Sequence, residues 1–197
     1  MNKQRQQEIL RQLAEHLTPK RLAHSRQVAE TAAKLAKVHD VDVEDAMLAG
    51  LLHDCARELT HKEMMLAAQQ AGLVWGVEEE AEPVLLHAAL AANWARLRYG
   101  VKKEAVLQAI ALHTTGGPQM TRLDQILYLA DLIEPGRDFP GVTELRRLAE
   151  RDLEAALLKA FDGSILHLLR HGALLHPATV EGRNWLLLQL RQRKKGC

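Results

Sequence analysis

The sequence predicts an all-α protein, a single helical bundle of about eight to ten helices. Three observations support this prediction. Good helix formers, above all Leu, Ala, Glu, Gln, Lys and Arg, dominate the chain, and aromatic residues, which favour strands, make up only 4% of it. No alternating apolar and polar run is longer than a few residues. Apolar residues instead recur at helical spacing, as in the stripe His24, Val28, Thr31, Leu35 and Val38.

Capping signals place the helices in the first third of the chain. After a polar amphipathic first helix, Thr18 is an N-cap followed by Pro19 at the first helical position. Asp42 then caps a short apolar helix. Thr60 and Glu63 form a capping box for the helix after that.

Proline and glycine mark the later helices. Glu82-Pro83 opens one helix, and Thr121 caps another that the turn Glu134-Pro135-Gly136 closes. A longer helix ends at Gly172, and the last begins at about residue 176. The predicted helices cover about residues 2–17, 19–38, 44–52, 61–71, 83–99, 102–113, 122–133, 143–171 and 176–193.

Composition narrows the class of protein. The chain has 197 residues, 47% of them apolar, and a net charge of +1, which suits one globular domain and argues against a nucleic-acid-coating protein. No stretch reaches the ~18 apolar residues of a membrane span, and the N-terminus lacks the apolar core of a signal peptide. The two cysteines, Cys55 and Cys197, form no CxxC motif, and Cys55 suits a buried filler. We therefore expect a cytoplasmic protein, without membrane partners.

The pair His53-Asp54 ends the apolar run AGLLHDCAR of residues 49–57. An imidazole and a carboxylate are costly to bury unless something pairs with them, and a divalent cation is a suitable partner for both. A lone histidine on an apolar helix face is more often a hydrogen-bonded core residue than a ligand. Several such residues in one chain nevertheless favour a shared metal site over separate coincidences. The further candidates are His24, His87, His113 and Asp131.

These residues resemble the H…HD…D signature of the HD-domain metal-dependent phosphohydrolases, in the order His24, His53-Asp54 and Asp131. His87 and His113 stand where some members carry two extra histidines. Four longer segments resemble the YqeK branch of this superfamily, over about residues 18–190. They are RLAHSRQVAETAAKLA, DAMLAGLLHDCAREL, AIALHTTGGPQMTRLDQILYLADLIEPGRDFPGV and LLHPATVEGRNW. The HTTG loop followed by YLADLIEPGR is more specific than the HD dipeptide.

The resemblance implies one HD domain over residues 1–197, with a phosphohydrolase core at about 18–135 and helices at about 143–193 that complete a nucleotide pocket. It implies symmetrical hydrolysis of diadenosine tetraphosphate, and of related dinucleoside tetraphosphates, to two ADP. It also implies iron as the metal. Mixed nitrogen and carboxylate ligation alone leaves manganese, cobalt or another first-row metal open. The implied ligands are His24, His53, Asp54 and Asp131.

Three of the candidates have catalytic roles to consider. Asp54 suits a ligand that also accepts a proton. His87 and His113 either complete a second metal site or face the phosphates as donors, one of them as general acid for the leaving ADP.

Three arginines are candidates for phosphate binding, because a guanidinium matches phosphate geometry with paired donors. Arg57 follows His53 by one helical turn, and Arg137 follows the turn after Asp131. Arg21 lies one turn before His24, although it could instead pair with Glu30 or Asp42 outside the site.

Two further segments are candidates for nucleotide contact. The loop that begins at Thr114 is glycine-rich and could bring backbone N–H groups to a phosphate, or it could simply stop a helix before Pro118. A second stretch resembles the family's nucleotide-contacting segment, and it comprises Leu174, Leu175, His176, Pro177, Ala178 and Thr179.

Other functions are compatible with the same residues. The chain could be a different HD-type nucleotide phosphohydrolase, or a nucleotide-sensing protein that binds without turnover. Nucleic-acid recognition as a main role is disfavoured by the near-neutral charge. A homodimer is compatible with so helical a surface.

Overall fold

The helices in the computed structural model, which describes residues 3–195, begin at the capping residues that the sequence indicates. Thr18, Thr60 and Thr121 each accept a backbone N–H from the first turn of the helix that follows. The α-helices are α1 Lys3–Ala14, α2 Pro19–Val38, α3 Val43–Leu52, α4 His61–Gln70, α5 Val77–Ala81, α6 His87–Leu97, α7 Glu104–Leu112, α8 Arg122–Ile133, α9 Val142–Arg151, α10 Leu153–Arg170 and α11 Pro177–Lys195. The all-α prediction is confirmed.

The described residues form eleven α-helices and one 3₁₀ helix, slightly more than the eight to ten predicted. The helix predicted over 143–171 is divided at Asp152, whose backbone is extended (φ −147°, ψ 98°) and whose carboxylate caps α10 through the N–H of Ala155. The helix predicted from residue 83 begins as the 3₁₀ helix Pro83–Leu86. The short α5 lies where a connection was predicted, and its acidic first turn complements the helix dipole.

The core lies between α2, α3, α7 and α8, with α10 packed across α8 and α9 and α11 packed on α10. Its fully buried side chains include Leu52, Ile110, Leu127 and Phe161. Each such side chain contributes about 1.5–3 kcal/mol of burial free energy. None of the helices within residues 3–195 is both long and apolar enough to span a membrane.

A close contact between the backbones of α2 and α3 positions His24 and His53. A Cβ atom at Gly50 in α3 would lie 2.6 Å from the Cα atom of Ala29 in α2. The missing side chain therefore lets the two backbones touch. This contact holds the end of α3, and with it His53, beside the helix that carries His24.

We expect Gly50→Ala to lower the free energy of unfolding by about 1–3 kcal/mol, because the added methyl group must displace backbone atoms of α2. Gly163→Ala in α10 is the matched control, since a Cβ there meets nothing within 4 Å. That substitution should raise the free energy of unfolding by about 0.5–1 kcal/mol through helix propensity. Urea denaturation of the two variants measures both effects, and equal stability of the two would contradict the close contact.

Candidate metal centre

Three buried histidines at helix ends are oriented in the same way. His53, His87 and His113 each follow an apolar segment, and in each ring Nδ1 bonds the carbonyl oxygen three residues earlier. A carbonyl oxygen only accepts, so Nδ1 carries a proton and Nε2 is the nitrogen that faces the cluster. The accepting carbonyls belong to Gly50, Val84 and Ile110.

The Nε2 atoms converge with two carboxylates. His24 Nε2 lies 3.0 Å from Asp131 Oδ1, and His53 Nε2 lies 3.8 Å from that same oxygen. His53 Nε2 also lies 3.8 Å from Asp54 Oδ2. Ligand atoms about 2.0–2.2 Å from one ion lie about 3–4 Å from each other, so these separations fit first-row metal coordination.

His53 gives the clearest test of whether a metal fits. Its side chain is fully buried, and Nε2 has no hydrogen-bond partner among the described residues. Burial lowers the pKa of His53 to about 4, so the ring is neutral at pH 7 with a lone pair to donate. A buried polar atom left without a partner is costly, and a cation between His53 and the carboxylates would remove that cost.

Asp54 lies between two halves of the cluster. One oxygen, Oδ2, faces His53, and the other, Oδ1, lies 3.3 Å from His87 Nε2 and 3.7 Å from His113 Nε2. Burial opposes ionisation of this carboxyl, but the surrounding imidazoles hold its pKa well below the usual range. The same balance, led by the hydrogen bond with His24, lowers the pKa of Asp131. Both carboxylates are therefore charged at neutral pH and suited to a cation.

The second half of the cluster contains His87, His113 and Thr114. The two Nε2 atoms are 3.1 Å apart, and Thr114 Oγ1 lies 3.1 Å from each of them. Among residues 3–195, two combinations of side chains meet the distance requirement for an ion: His24, His53 and Asp131; and His53, Asp54 and His113. The cluster can thus hold one ion with two imidazoles free for substrate, or two ions bridged by the two oxygens of Asp54.

Arg21 and Arg137 flank the carboxylates. Arg21 bonds Asp54 Oδ2 at 2.9 Å and lies 3.6 Å from Glu58, so it pairs inside the site and not with Glu30 or Asp42. Arg137 bonds the side chain of Asp131 at 2.6 Å and its main-chain oxygen at 2.8 Å.

Arg57 is half-buried near the same cluster. Its guanidinium makes no hydrogen bond or ion pair with the part of the chain that the structure describes. Burial lowers its pKa, and the charges of Arg21 and Arg137 add to that effect. Three cationic groups therefore share one region, and one of them has its donors available.

The C-terminal segment reaches the glycine-rich loop. Thr179 Oγ1 donates to the carbonyl of Thr115 at 2.8 Å. In α11, a Cβ atom at Gly182 would lie 2.6 Å from the carbonyl oxygen of Gly117, so the helix backbone rests on the loop. The start of α11 is thus fixed beside the loop that carries Thr114.

The other residues predicted in this segment lie towards the surface. His176 Nε2 lies 2.9 Å from a carboxylate oxygen of Glu79 in α5, and its Nδ1 accepts the N–H of Ala178. Leu174 is 52% exposed, and Pro177 is exposed as well, while Leu175 is half-buried.

Sequence reasoning missed one residue of the site. Glu134 is predicted there only as part of a helix-closing turn, yet its buried carboxylate lies 3.2 Å from His24 Nδ1. The available signal was its spacing, because Glu134 follows Asp131 by three residues and directly follows the last residue of α8.

Cys55 is buried beside the cluster, as the sequence indicates. Burial raises the pKa of this thiol to about 12, so it stays protonated and unreactive at neutral pH. Cys197 lies outside the described residues.

The fold and the site together define a class: an all-helical protein that gathers imidazoles and carboxylates from several helices into a cluster that could hold a metal ion. The HD domain model matches residues 21–136. The chain is 40% identical to the symmetrical bis(5'-nucleosyl)-tetraphosphatase of Halalkalibacterium halodurans, over 88% of this chain and 92% of that one. It is 35% identical to the enzyme of the same name from Bacillus subtilis, over 92% and 97%.

A solved structure agrees with this match. The crystal structure of a predicted HD superfamily hydrolase involved in NAD metabolism, from Clostridium acetobutylicum, is 41% identical and superposes with a TM-score of 0.90, covering 93% of this chain and 97% of that one. The chain belongs to the HD-domain family, and within it to the group that includes the symmetrical bis(5'-nucleosyl)-tetraphosphatases.

We expect Asp131→Asn to lower the metal content of the purified protein strongly, since the substitution keeps the shape of the side chain and removes its charge. His53→Ala should do the same, while the exposed His61→Ala retains wild-type metal. Elemental analysis after dialysis measures the metal, and circular dichroism checks the helices. Wild-type metal content in both site variants would contradict this centre. The number of metal ions per wild-type chain distinguishes one bound ion from two.

Proposed function

We propose that this protein is a metal-dependent hydrolase that cleaves diadenosine tetraphosphate, and related dinucleoside tetraphosphates, symmetrically to two ADP. The observation that carries the proposal is the buried, hydrogen-bond-free Nε2 of His53 amid two charged carboxylates, in a chain with close similarity to enzymes of that name. His24, His53, Asp54 and Asp131 would hold the cation.

The charge around the centre supports a polyphosphate substrate. Arg21 lies on the Asp54 side of the cluster and Arg137 on the Asp131 side. Arg57 adds a guanidinium with free donors. Cations on both sides of the centre suit a chain of phosphates that extends past the cleaved bond in both directions, and paired N–H donors suit phosphate oxygens.

The residues divide the chemistry between them. A bound divalent cation supplies Lewis-acid polarisation of a phosphoryl oxygen and activation of water. Asp54 accepts a proton from the attacking water. His87 and His113 contact the phosphates, and one of them, as an imidazolium that carries a proton on Nε2, donates that proton to the leaving ADP. Thr114 Oγ1 lies beside both Nε2 atoms. The alternative for these two histidines is a second ion.

The C-terminal segment completes the proposed nucleotide pocket. Leu174 and Leu175 would pack on a base. The backbone N–H groups at the start of α11, near Pro177 and Ala178, would face a phosphate. Because Thr179 bonds Thr115, the segment and the glycine-rich loop would move as one unit around the substrate.

Iron is the metal that we propose, with manganese or cobalt as substitutes that the same ligands accept. A cytoplasmic location and a homodimer remain predictions. The competing functions are another nucleotide phosphohydrolase and a nucleotide sensor without turnover.

The products of the reaction test the proposal. Purified protein with ferrous or manganous ion should convert diadenosine tetraphosphate to ADP alone, as measured by anion-exchange chromatography. ATP together with AMP would contradict symmetrical cleavage, and ADP binding without turnover would favour the sensor. Preferential hydrolysis of mononucleotides in a substrate panel would favour the other phosphohydrolase.

Arg57→Ala should lower kcat/KM for the dinucleotide roughly 10–100-fold, since a charge-assisted hydrogen bond to phosphate contributes about 1.5–3 kcal/mol. Arg57→Lys should recover only part of the loss, because an ammonium group lacks the paired donors. Steady-state kinetics measure both variants, with the exposed Arg170→Ala as control. Unchanged kinetics in Arg57→Ala would remove this residue from the phosphate site.

A further inference from the structure

We infer that Glu134 is a positioning residue, which orients His24 of the metal centre from the end of α8. The contact between Glu134 and His24 is a feature of the fold. Only the part that this contact plays in catalysis rests on the proposed function. It adds a carboxylate to the functional residues that neither binds substrate nor ligates the cation.

The geometry around Glu134 defines its role. The side chain is 95% buried, being only 5% exposed, and its Oε1 lies 3.2 Å from His24 Nδ1. A carboxylate oxygen accepts a hydrogen bond from a ring N–H, so Nδ1 is the donor in this contact. The opposite nitrogen, Nε2, then faces the centre, where it lies 3.0 Å from Asp131 Oδ1.

His24 needs such a partner more than the other three histidines do. His53, His87 and His113 stand at helix ends and use main-chain carbonyls three residues earlier. His24 lies within α2, where the neighbouring carbonyls accept the helix's own N–H groups. Its orienting acceptor therefore comes from another helix, and a carboxylate raises the basicity of the imidazole more than a carbonyl does.

The turn after α8 is shaped around this carboxylate. The N–H of Gly136 donates to Oε2 of Glu134, and a Cβ atom at Gly136 would lie 3.0 Å from that oxygen. The same Cβ would lie 3.1 Å from Gln27 Oε1, so a side chain would crowd the carboxylate from two sides. Arg146 in α9 fixes the main chain of the turn by donating to the carbonyl oxygens of Ile133, Glu134 and Arg137.

The test measures metal binding without substrate. Co²⁺ is titrated into the metal-free full-length protein, and affinity is followed by calorimetry while the visible absorption of bound Co²⁺ reports its geometry. Glu134→Ala should weaken Co²⁺ binding roughly 10–100-fold, the usual effect of removing a hydrogen-bond partner of a ligating histidine. Glu134→Gln should lose less, because the amide oxygen still accepts from Nδ1. The matched control is Asp138→Ala, an exposed carboxylate in the following loop, which should bind Co²⁺ like the wild type.

Gly136→Ala provides a second variant that keeps the carboxylate and shifts it. Its Co²⁺ affinity should fall between those of the wild type and Glu134→Ala. Wild-type affinity and absorption in a folded Glu134→Ala overturn the inference. If Glu134→Ala does not fold, wild-type affinity in Gly136→Ala overturns it.

The inference and the proposed function can fail separately. Weakened Co²⁺ binding in Glu134→Ala, in a protein that does not hydrolyse the dinucleotide, supports the positioning role and refutes the function. Symmetrical hydrolysis by the wild type, with unchanged Co²⁺ binding in Glu134→Ala, supports the function and refutes the positioning role.

Discussion

The site depends on one recurring interaction, the hydrogen bond that fixes Nδ1 of each clustered histidine. A main-chain carbonyl accepts from His53, His87 and His113, and the carboxylate of Glu134 accepts from His24. Each bond fixes the direction of the ring, so that every Nε2 faces the shared cluster. Without these bonds the imidazoles could rotate away from the cluster.

The fold makes the three bonds to main-chain carbonyls possible by placing His53, His87 and His113 where helices end. The last carbonyls of a helix lack intrahelical partners, and a histidine at the C-cap can donate to one of them. His53 and His113 occupy that position at the ends of α3 and α7. The same carbonyl groups therefore lie at the helix ends and orient the imidazoles of the site.

The charges of the two central carboxylates are balanced by arginines that lie outside the proposed metal ligands. Two carboxylates at the centre have lowered pKa values, and Arg21 and Arg137 are paired with them. The arginines stabilise the ionised ligands and also lie where a phosphate chain would approach. One set of charges thus serves both the stability of the centre and the proposed binding of a polyanion.

The sequence by itself determined the all-helical class, the caps at Thr18, Thr60 and Thr121, and the set of histidines and aspartates to examine, because capping and helical periodicity are local properties. Tertiary structure alone decided which side chains meet. The pairing of Arg21 with Asp54, and of Glu134 with His24, joins residues 33 and 110 positions apart in the chain. It also decided the break at Asp152, whose extended backbone ends α9 and whose carboxylate caps α10. Such contacts depend on how helices pack, and no local pattern of residues specifies that.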